Sequence, residues 1–224
     1  MTQPVIKLNS VSKKIHDSEI LSDINLTISD GEFISILGSS GSGKSTLTNI
    51  IGLLDDDFVG SYLLDGMEMV GRRGLEDVRN QIFGFIFQSY YLISYLTIRE
   101  NLDLIIKIKH KNSEKKKLID NVLKKVGLTE KIDSFPNELS GGEQQRIAIA
   151  RAIINSPRVI IADEPTGALD LSNKRIIYEI LSELNSEGKT IILITHDVEF
   201  SNLVKNNYEI RKGKIFKKNI NDEN

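Results

Sequence analysis

Phe33-Ile34-Ser35-Ile36-Leu37 runs without a break into Gly38-Ser39-Ser40-Gly41-Ser42-Gly43-Lys44-Ser45-Thr46. The first five residues form a short apolar run of the kind that makes a buried strand. The next nine combine glycines with small hydroxyl residues around a single lysine. An amphipathic stretch follows, with Leu47, Ile50, Ile51 and Leu54 at helical spacing. Strand, glycine-rich loop and helix in this order are expected to cradle an anion. Glycines allow backbone angles that aim successive N–H groups inward. The helix that starts near Lys44 adds the positive end of its dipole.

The arrangement matches the P-loop pattern, so Gly38 to Thr46 are candidate nucleotide-binding residues. Lys44 can reach the outer phosphates as a point charge, and the Ser45 hydroxyl can ligate Mg²⁺. A second apolar run, Val159-Ile160-Ile161-Ala162, ends in Asp163-Glu164-Pro165. Ligands of open α/β sheets bind outside the carboxyl ends of the strands. Asp163 is therefore a candidate Mg²⁺ ligand, direct or through water. Glu164 projects differently and is a candidate general base for an attacking water.

Outward from these stretches, the 224 residues carry 29 Lys plus Arg, 31 Asp plus Glu and a formal charge of −2. This balance is that of a soluble globular domain with ample length for a core. It gives no electrostatic footprint for nucleic acid, so no nucleic-acid partner is expected. No Cys is present, which excludes disulfides, thiol chemistry and Cys-based zinc sites and fits a reducing compartment. Met1–Ser10 contain Lys7 and no apolar core, so no secretory leader is expected there. No window approaches a membrane span, and any membrane part is expected from another chain.

Thr190–Ile194 reads as a third buried strand, and the strand–turn–amphipathic alternation predicts a mainly parallel sheet covered by helices. Val5–Leu8, Ile20–Ile28 and Ser61–Leu64 read as shorter strands of an antiparallel layer, with turns at Asp30-Gly31 and Asp65-Gly66. From Thr97 to about Phe135, Leu102, Ile105, Ile106 and then Leu118, Ile119, Val122, Leu123 and Val126 recur at helical spacing, with Gly127 as a stop. An inserted helical subdomain is predicted over about 97–135. Lys115-Lys116-Lys117 reads as a solvated helix face. Asp55-Asp56-Asp57 reads as a polar loop after a helix, since three adjacent carboxylates are not expected to point at one centre. Residues 219–224 are expected to fray.

Between the two candidate sites lies Leu139-Ser140-Gly141-Gly142-Glu143-Gln144-Gln145-Arg146. With the flanking motifs, it resembles the signature sequence of the ATP-binding cassette (ABC) family. Gln88 resembles the Q-loop glutamine, Ala168-Leu169-Asp170 the D-loop, and His196 the switch histidine. The resemblance covers essentially the whole chain. It is strongest to ATPase subunits of the lipoprotein-release and macrolide-export type, through Asn49-Ile50-Ile51-Gly52, Gly84-Phe85-Ile86-Phe87-Gln88 and Pro165-Thr166-Gly167-Ala168-Leu169-Asp170.

The resemblance implies one P-loop NTPase domain of α/β class, with core at about 1–96 and 136–218 and the helical insert leading into the signature helix. It implies ATP hydrolysis with Mg²⁺, on the cytoplasmic face of the membrane, coupled to a separate integral permease. Export or envelope-directed work is expected; a regulatory ATPase that signals through a membrane partner without moving a solute is the alternative. Gln88 would sense Mg²⁺ and the attacking water, and His196 would bond the γ-phosphate. Ser140, Gly141, Gly142 and Asp170 would complete the site of a second copy of the chain, giving a dimer closed around ATP.

The family usually places an aromatic residue after the first strand to stack on adenine. Here Ile15 stands at that position, with His16 beside it, so weak base discrimination is expected. His16 and His110 otherwise read as ordinary structural or exposed histidines. The apolar stretch Ser89–Leu96 is either core packing or a groove for the permease.

Overall fold

The structure, a computed structural model, describes residues 4–106, 111–167 and 169–218. His110, Ala168 and the 219–224 tail lie outside the described residues. In chain order the elements are β1 (Pro4–Ile15), β2 (Ser18–Ser29), β3 (Phe33–Leu37), α1 (Lys44–Ile51), β4 (Val59–Leu64), β5 (Met67–Glu68) and α2 (Leu75–Ile82). There follow β6 (Phe83–Phe87), α3 (Ile98–Asp103), α4 (Asn112–Lys125), α5 (Gly141–Ile153), β7 (Val159–Asp163), α6 (Leu171–Ser186), β8 (Thr190–Thr195), α7 (Val198–Asn202), β9 (Asn206–Arg211) and β10 (Lys214–Lys218).

Two sheets form. One is antiparallel, in the order β2-β1-β4-β5; the other has the order β10-β9-β3-β8-β7-β6. In the second sheet every neighbouring pair is parallel except β9 with the edge strand β10. The expected α/β class, with a mainly parallel sheet beside an antiparallel layer, is what is observed.

The continuous apolar runs have a direct cause. Along β7 and β8, Val159, Ile161, Ile192 and Ile194 pack into one core with β1, β2, β4 and α1. The alternating residues Ile160, Ala162, Ile191 and Leu193 pack into a second core with α3–α6. A parallel sheet buried on both faces leaves no polar side to write into the sequence.

Several expectations need correction. β1 and β2 are 12 residues each, longer than read, because register shifts near Leu8, Val11 and Lys13 break the two-residue alternation. α1 ends at Ile51, and Leu53 takes a left-handed conformation (φ 56°). The chain turns there, so Leu54 leaves the apolar stripe and is exposed. The helix read through Leu102, Ile105 and Ile106 ends at Asp103; i→i+3 bonds tighten the next turn and place Ile105 outward. α4 ends as read, with Gly127 at φ 67° after it.

Asp55 and Asp57 do converge on one centre, but it is an ammonium. Lys13 Nζ lies 3.0 Å from Asp55 Oδ1 and 3.1 Å from Asp57 Oδ2, and it also donates to the Asp57 carbonyl. Among the described residues no acidic or histidine cluster could hold a metal ion by itself. Lys115 pairs with Asp103 at 3.0 Å while Lys116 and Lys117 are exposed. No helix among the described residues is long and apolar enough to cross a membrane.

Candidate functional site

The carboxyl ends of β3, β6, β7 and β8 open into one cavity of about 750 Å³. β3 delivers the glycine loop, of which Ser39, Ser40, Gly41 and Gly43 line the cavity with Lys44, Ser45 and Thr46 of α1. Gly38 and Ser42 sit behind that surface; Ser42 is 6% exposed and its hydroxyl has no hydrogen-bond partner among the described residues. Gly43 caps α1 at φ 105°, a conformation open to glycine and strained for other residues. Among the described residues no side chain caps this helix start, and no acidic residue occupies its first turn. The dipole end is thus left to whatever fills the cavity.

Lys44 is held ready by its own loop. Its Nζ donates to the carbonyls of Gly38 (2.6 Å) and Ser39 (3.0 Å) and lies 3.8 Å from Glu164 Oε1. Asp163 closes β7 and lines the cavity with Glu164. Burial, aided by the neighbouring Glu164 carboxylate and opposed by Lys44, pushes the Asp163 carboxyl above the usual range. Such a group gains by meeting a cation.

Glu164 has φ 50°, a left-handed conformation rarely taken by a residue with a side chain. Its N–H donates to the Ile194 carbonyl at 2.8 Å, which pins the turn to the end of β8. The side chain is thereby carried across to His196, whose Nδ1 lies 2.8 Å from Glu164 Oε2. Thr195 Oγ1 donates to the same oxygen at 3.4 Å. Gln88 follows β6, lines the cavity and lies against Gly167.

The mouth is formed by Ile15 of β1 and Ile20 of β2, and Ile15 is 45% exposed. His16 does not line the cavity. Ile20 escaped the sequence reading, because a strand residue that meets the loop from another sheet has no local signature. Thr195 escaped it too, as one more residue of a buried strand.

Ser140, Gly141, Gly142 and Asp170 do not line the cavity of their own chain. Ser140 caps α5 in a reciprocal box with Glu143: the Ser140 hydroxyl donates to Glu143 Oε2 at 2.8 Å and accepts the Glu143 N–H at 3.3 Å. The Ser140 N–H and hydroxyl hold the Glu143 carboxyl below its ordinary range. Asp170 caps α6, accepting from Asn173 N–H (2.8 Å) and Asn173 Nδ2 (2.9 Å). Asn173 in turn fills the space beside Gly142, where an added Cβ would lie 2.1 Å from Asn173 Oδ1. The α5 and α6 starts are therefore packed side by side.

Two further ties bind α5 to the end of β6 and to the segment after it. Gln145, fully buried, donates to the Phe87 carbonyl at 3.3 Å. Arg151 donates to the carbonyls of Tyr90 and Tyr91. Tyr91 and Tyr95 remain exposed.

The ABC transporter family profile matches residues 21–167. An uncharacterized ABC transporter ATP-binding protein of Bacillus subtilis, YvrO, is 46% identical over 218 residues, covering 94% of this chain and 95% of that protein. The macrolide export ATP-binding/permease protein MacB of Campylobacter jejuni is 44% identical over 214 residues, 94% of this chain and 33% of MacB. The chain thus spans nearly all of the first relative and about a third of the second. Among solved structures, the ATP-binding cassette MJ0796, a post-hydrolysis dimer bound to ADP and Pi, superposes with a TM-score of 0.86 at 36% identity, over 96% of this chain and 98% of that one. CbiO1 of Clostridium perfringens gives 0.88 at 30% identity, over 96% and 87%. With a phosphate-type loop, paired carboxylates and a histidine around one cavity, and with these likenesses across nearly its whole length, the chain belongs to the ABC transporter family as one of its ATP-binding ATPases.

Proposed function

We propose that the chain powers a separate membrane permease from the cytoplasmic face, in export or envelope-directed work, by closing as a dimer around ATP and Mg²⁺. The observation that carries this reading is the division of residues. The charged groups of Lys44, Asp163, Glu164 and His196 meet in one cavity, whereas Ser140–Gly142 and Asp170 stand outside it on two adjacent helix starts. A helix N-terminus of small residues suits close approach to phosphate, and here it has no phosphate site of its own chain to serve. The dimeric MJ0796 cassette and the export role in MacB's name support the same reading.

In this reading Gly38–Thr46 bind the phosphate groups, with Lys44 leaving the loop carbonyls for the outer phosphates. The Ser45 hydroxyl and Asp163 carboxylate are hard oxygen donors on the cavity wall and fit Mg²⁺, which neutralises phosphate charge when bound. Gln88 offers both a donor and an acceptor without charge and positions water. Glu164 takes the proton of the attacking water, and His196 holds the γ-phosphate. Ile15 and Ile20 cover the base. Ser140, Gly141, Gly142 and Asp170 of each chain complete its partner's site. Contacts made only with the γ-phosphate bias closure, and their loss on hydrolysis reopens the dimer.

The test is the mass of the Glu164→Gln variant in solution with Mg-ATP. The expected state is a dimer that Ser140→Arg abolishes while ATP binding persists. A monomer under saturating ATP, free and on its permease, overturns the reading.

A further inference from the structure

The turn between β9 and β10 reaches the back of the glycine loop. Arg211 pairs with Lys214, so Lys212 and Gly213 alone make the turn, with φ 46° and 74°. Two left-handed residues give the tight turn that matches strand twist. The Gly213 N–H donates to the Ser42 carbonyl at 3.1 Å, and the Gly213 carbonyl accepts the Ser22 N–H of β2 at 2.8 Å. One glycine thus bridges the loop and the antiparallel sheet. A side chain has no room there, since a Cβ would lie 2.4 Å from the Ile20 carbonyl oxygen.

Ile210, buried to 1% exposure, stands behind the loop's own glycines. A Cβ on Gly38 would lie 2.7 Å from Ile210 Cγ2 and 2.9 Å from its carbonyl oxygen; one on Gly43 would lie 3.4 Å from Ile210 Cδ1. β9 runs parallel to β3 as far as the Leu37–Glu209 pair. It therefore continues beside the loop where β3 ends, and Ile210 arrives at the loop's rear by register.

We propose that the β9–β10 hairpin is a positioning element of the phosphate loop, acting through Ile210 and Gly213, and that nucleotide occupancy and order of the hairpin turn are coupled. The inference rests on the reading of Gly38–Thr46 as the phosphate cradle. An anion site built from backbone amides binds in proportion to how well those amides are held in advance. The hairpin supplies that hold from a strand about 170 residues away in sequence. Coupling is reciprocal, so a ligand that fixes the loop also slows opening of the turn behind it. Ile20, whose carbonyl packs on Gly213, lines the cavity mouth, so the same turn touches both ends of the site.

Amide hydrogen exchange on the intact chain tests the coupling. ADP and ATP are expected to slow exchange at the Gly213 N–H, and adenosine is not. Ile210→Ala and Gly213→Ala are expected to raise KM for ATP about five-fold, the scale of one lost hydrogen bond, with kcat falling by less than about half. Ile210→Val is expected to restore KM. A purely structural role would lower Tm and leave KM and the nucleotide-dependent protection unchanged. Lys44→Ala separates the two readings. If it abolishes nucleotide binding while Ile210→Ala and Gly213→Ala keep the wild-type KM, the hairpin inference is overturned and the cradle stands. If Lys44→Ala binds ATP as the parent does, the cradle fails and the inference with it. Should both hairpin variants fail to fold, absence of nucleotide-dependent protection at Gly213 in the parent chain overturns the proposal.

Discussion

Glu164 Oε2 and His196 Nδ1 lie 2.8 Å apart, and the His196 N–H also reaches that oxygen at 3.3 Å. The other Glu164 oxygen faces Lys44 Nζ at 3.8 Å. The carboxylate therefore stands between an ammonium and an imidazole, carried there by its left-handed backbone. In the proposed reading the two residues act as one unit, so their loss is expected not to multiply.

Glu164→Gln is expected to keep nucleotide binding and cut phosphate release at least about 100-fold. His196→Ala is expected to cause a comparable loss. The double variant should be no slower than the worse single one, as for groups acting as a unit. Steady-state phosphate release decides it; multiplicative losses would show that the contact has no catalytic consequence.

In the proposed reading the base meets two isoleucines, Ile15 and Ile20, which line the cavity. Among the described residues no Phe, Tyr or Trp lines the cavity. Aliphatic carbon gives dispersion and burial but no stacking. ATP and GTP are therefore expected to bind within about three-fold of each other, and Ile15→Tyr to tighten ATP by about two- to ten-fold, the worth of one ring contact. Competition against a fluorescent nucleotide measures both. A strong preference of the parent chain for ATP counts against the isoleucine platform.

Lys13 joins β1 to the loop after α1. Burial works against its charge, but the hydrogen bonds to Asp55 and Asp57 outweigh burial and raise its pKa above the ordinary 10.5. The Asp57 side chain is 95% exposed, so solvent screening weakens that half of the contact. Lys13→Ala is expected to cost about 2 kcal/mol, below the range for fully buried pairs. With a raised folded pKa, the contribution is complete below the ordinary lysine value and lost as pH rises through the folded one. Urea midpoints are expected to fall in the alkaline range for the parent chain, and to fall less for Lys13→Met.

The Ser172 hydroxyl, then the Asn173 N–H and side chain, hold Asp170 down to about 2. The cap on α6 is therefore complete above the ordinary carboxylate range and lost only as pH falls toward that value. NMR titration of the Asp170 carboxyl should show no protonation step down to about pH 3, and Ser172→Ala should move the midpoint upward. An ordinary midpoint in the parent chain would mean the cap does not form in solution.

β3, β7 and β8 were legible because strands buried on both faces are written as unbroken runs of Val, Ile and Leu. β6 was less so, since Phe83-Gly84-Phe85-Ile86-Phe87 follows α2 with no turn residue between them. β9 and β10 were not: β10 is the sheet edge, and β9, though paired on both sides, carries the polar run Asn206-Asn207-Tyr208-Glu209 before its buried Ile210 in place of an unbroken apolar run. Asp55–Asp57 form the polar loop expected after α1, but the meeting of two of them with Lys13 was not legible, because that lysine comes from a strand some forty residues earlier.

The chain by itself determined the loop. Glycines at Gly38, Gly41 and Gly43, a lysine at Lys44 and hydroxyls at Ser45 and Thr46 are local chemistry, fixed by neighbours in sequence. Strand ends also located Asp163 and Glu164, since a carboxyl end of a parallel strand is predictable from the run before it, and the family resemblance singled out His196 after the third run. What the tertiary structure decided was which of these face one another and what stands behind them: the Glu164–His196 contact, the isoleucine mouth, the Asn173–Gly142 junction and the Gly213–Ser42 bond. Each joins residues from different elements, and sheet order and register, set by burial of whole faces, bring them within bonding distance.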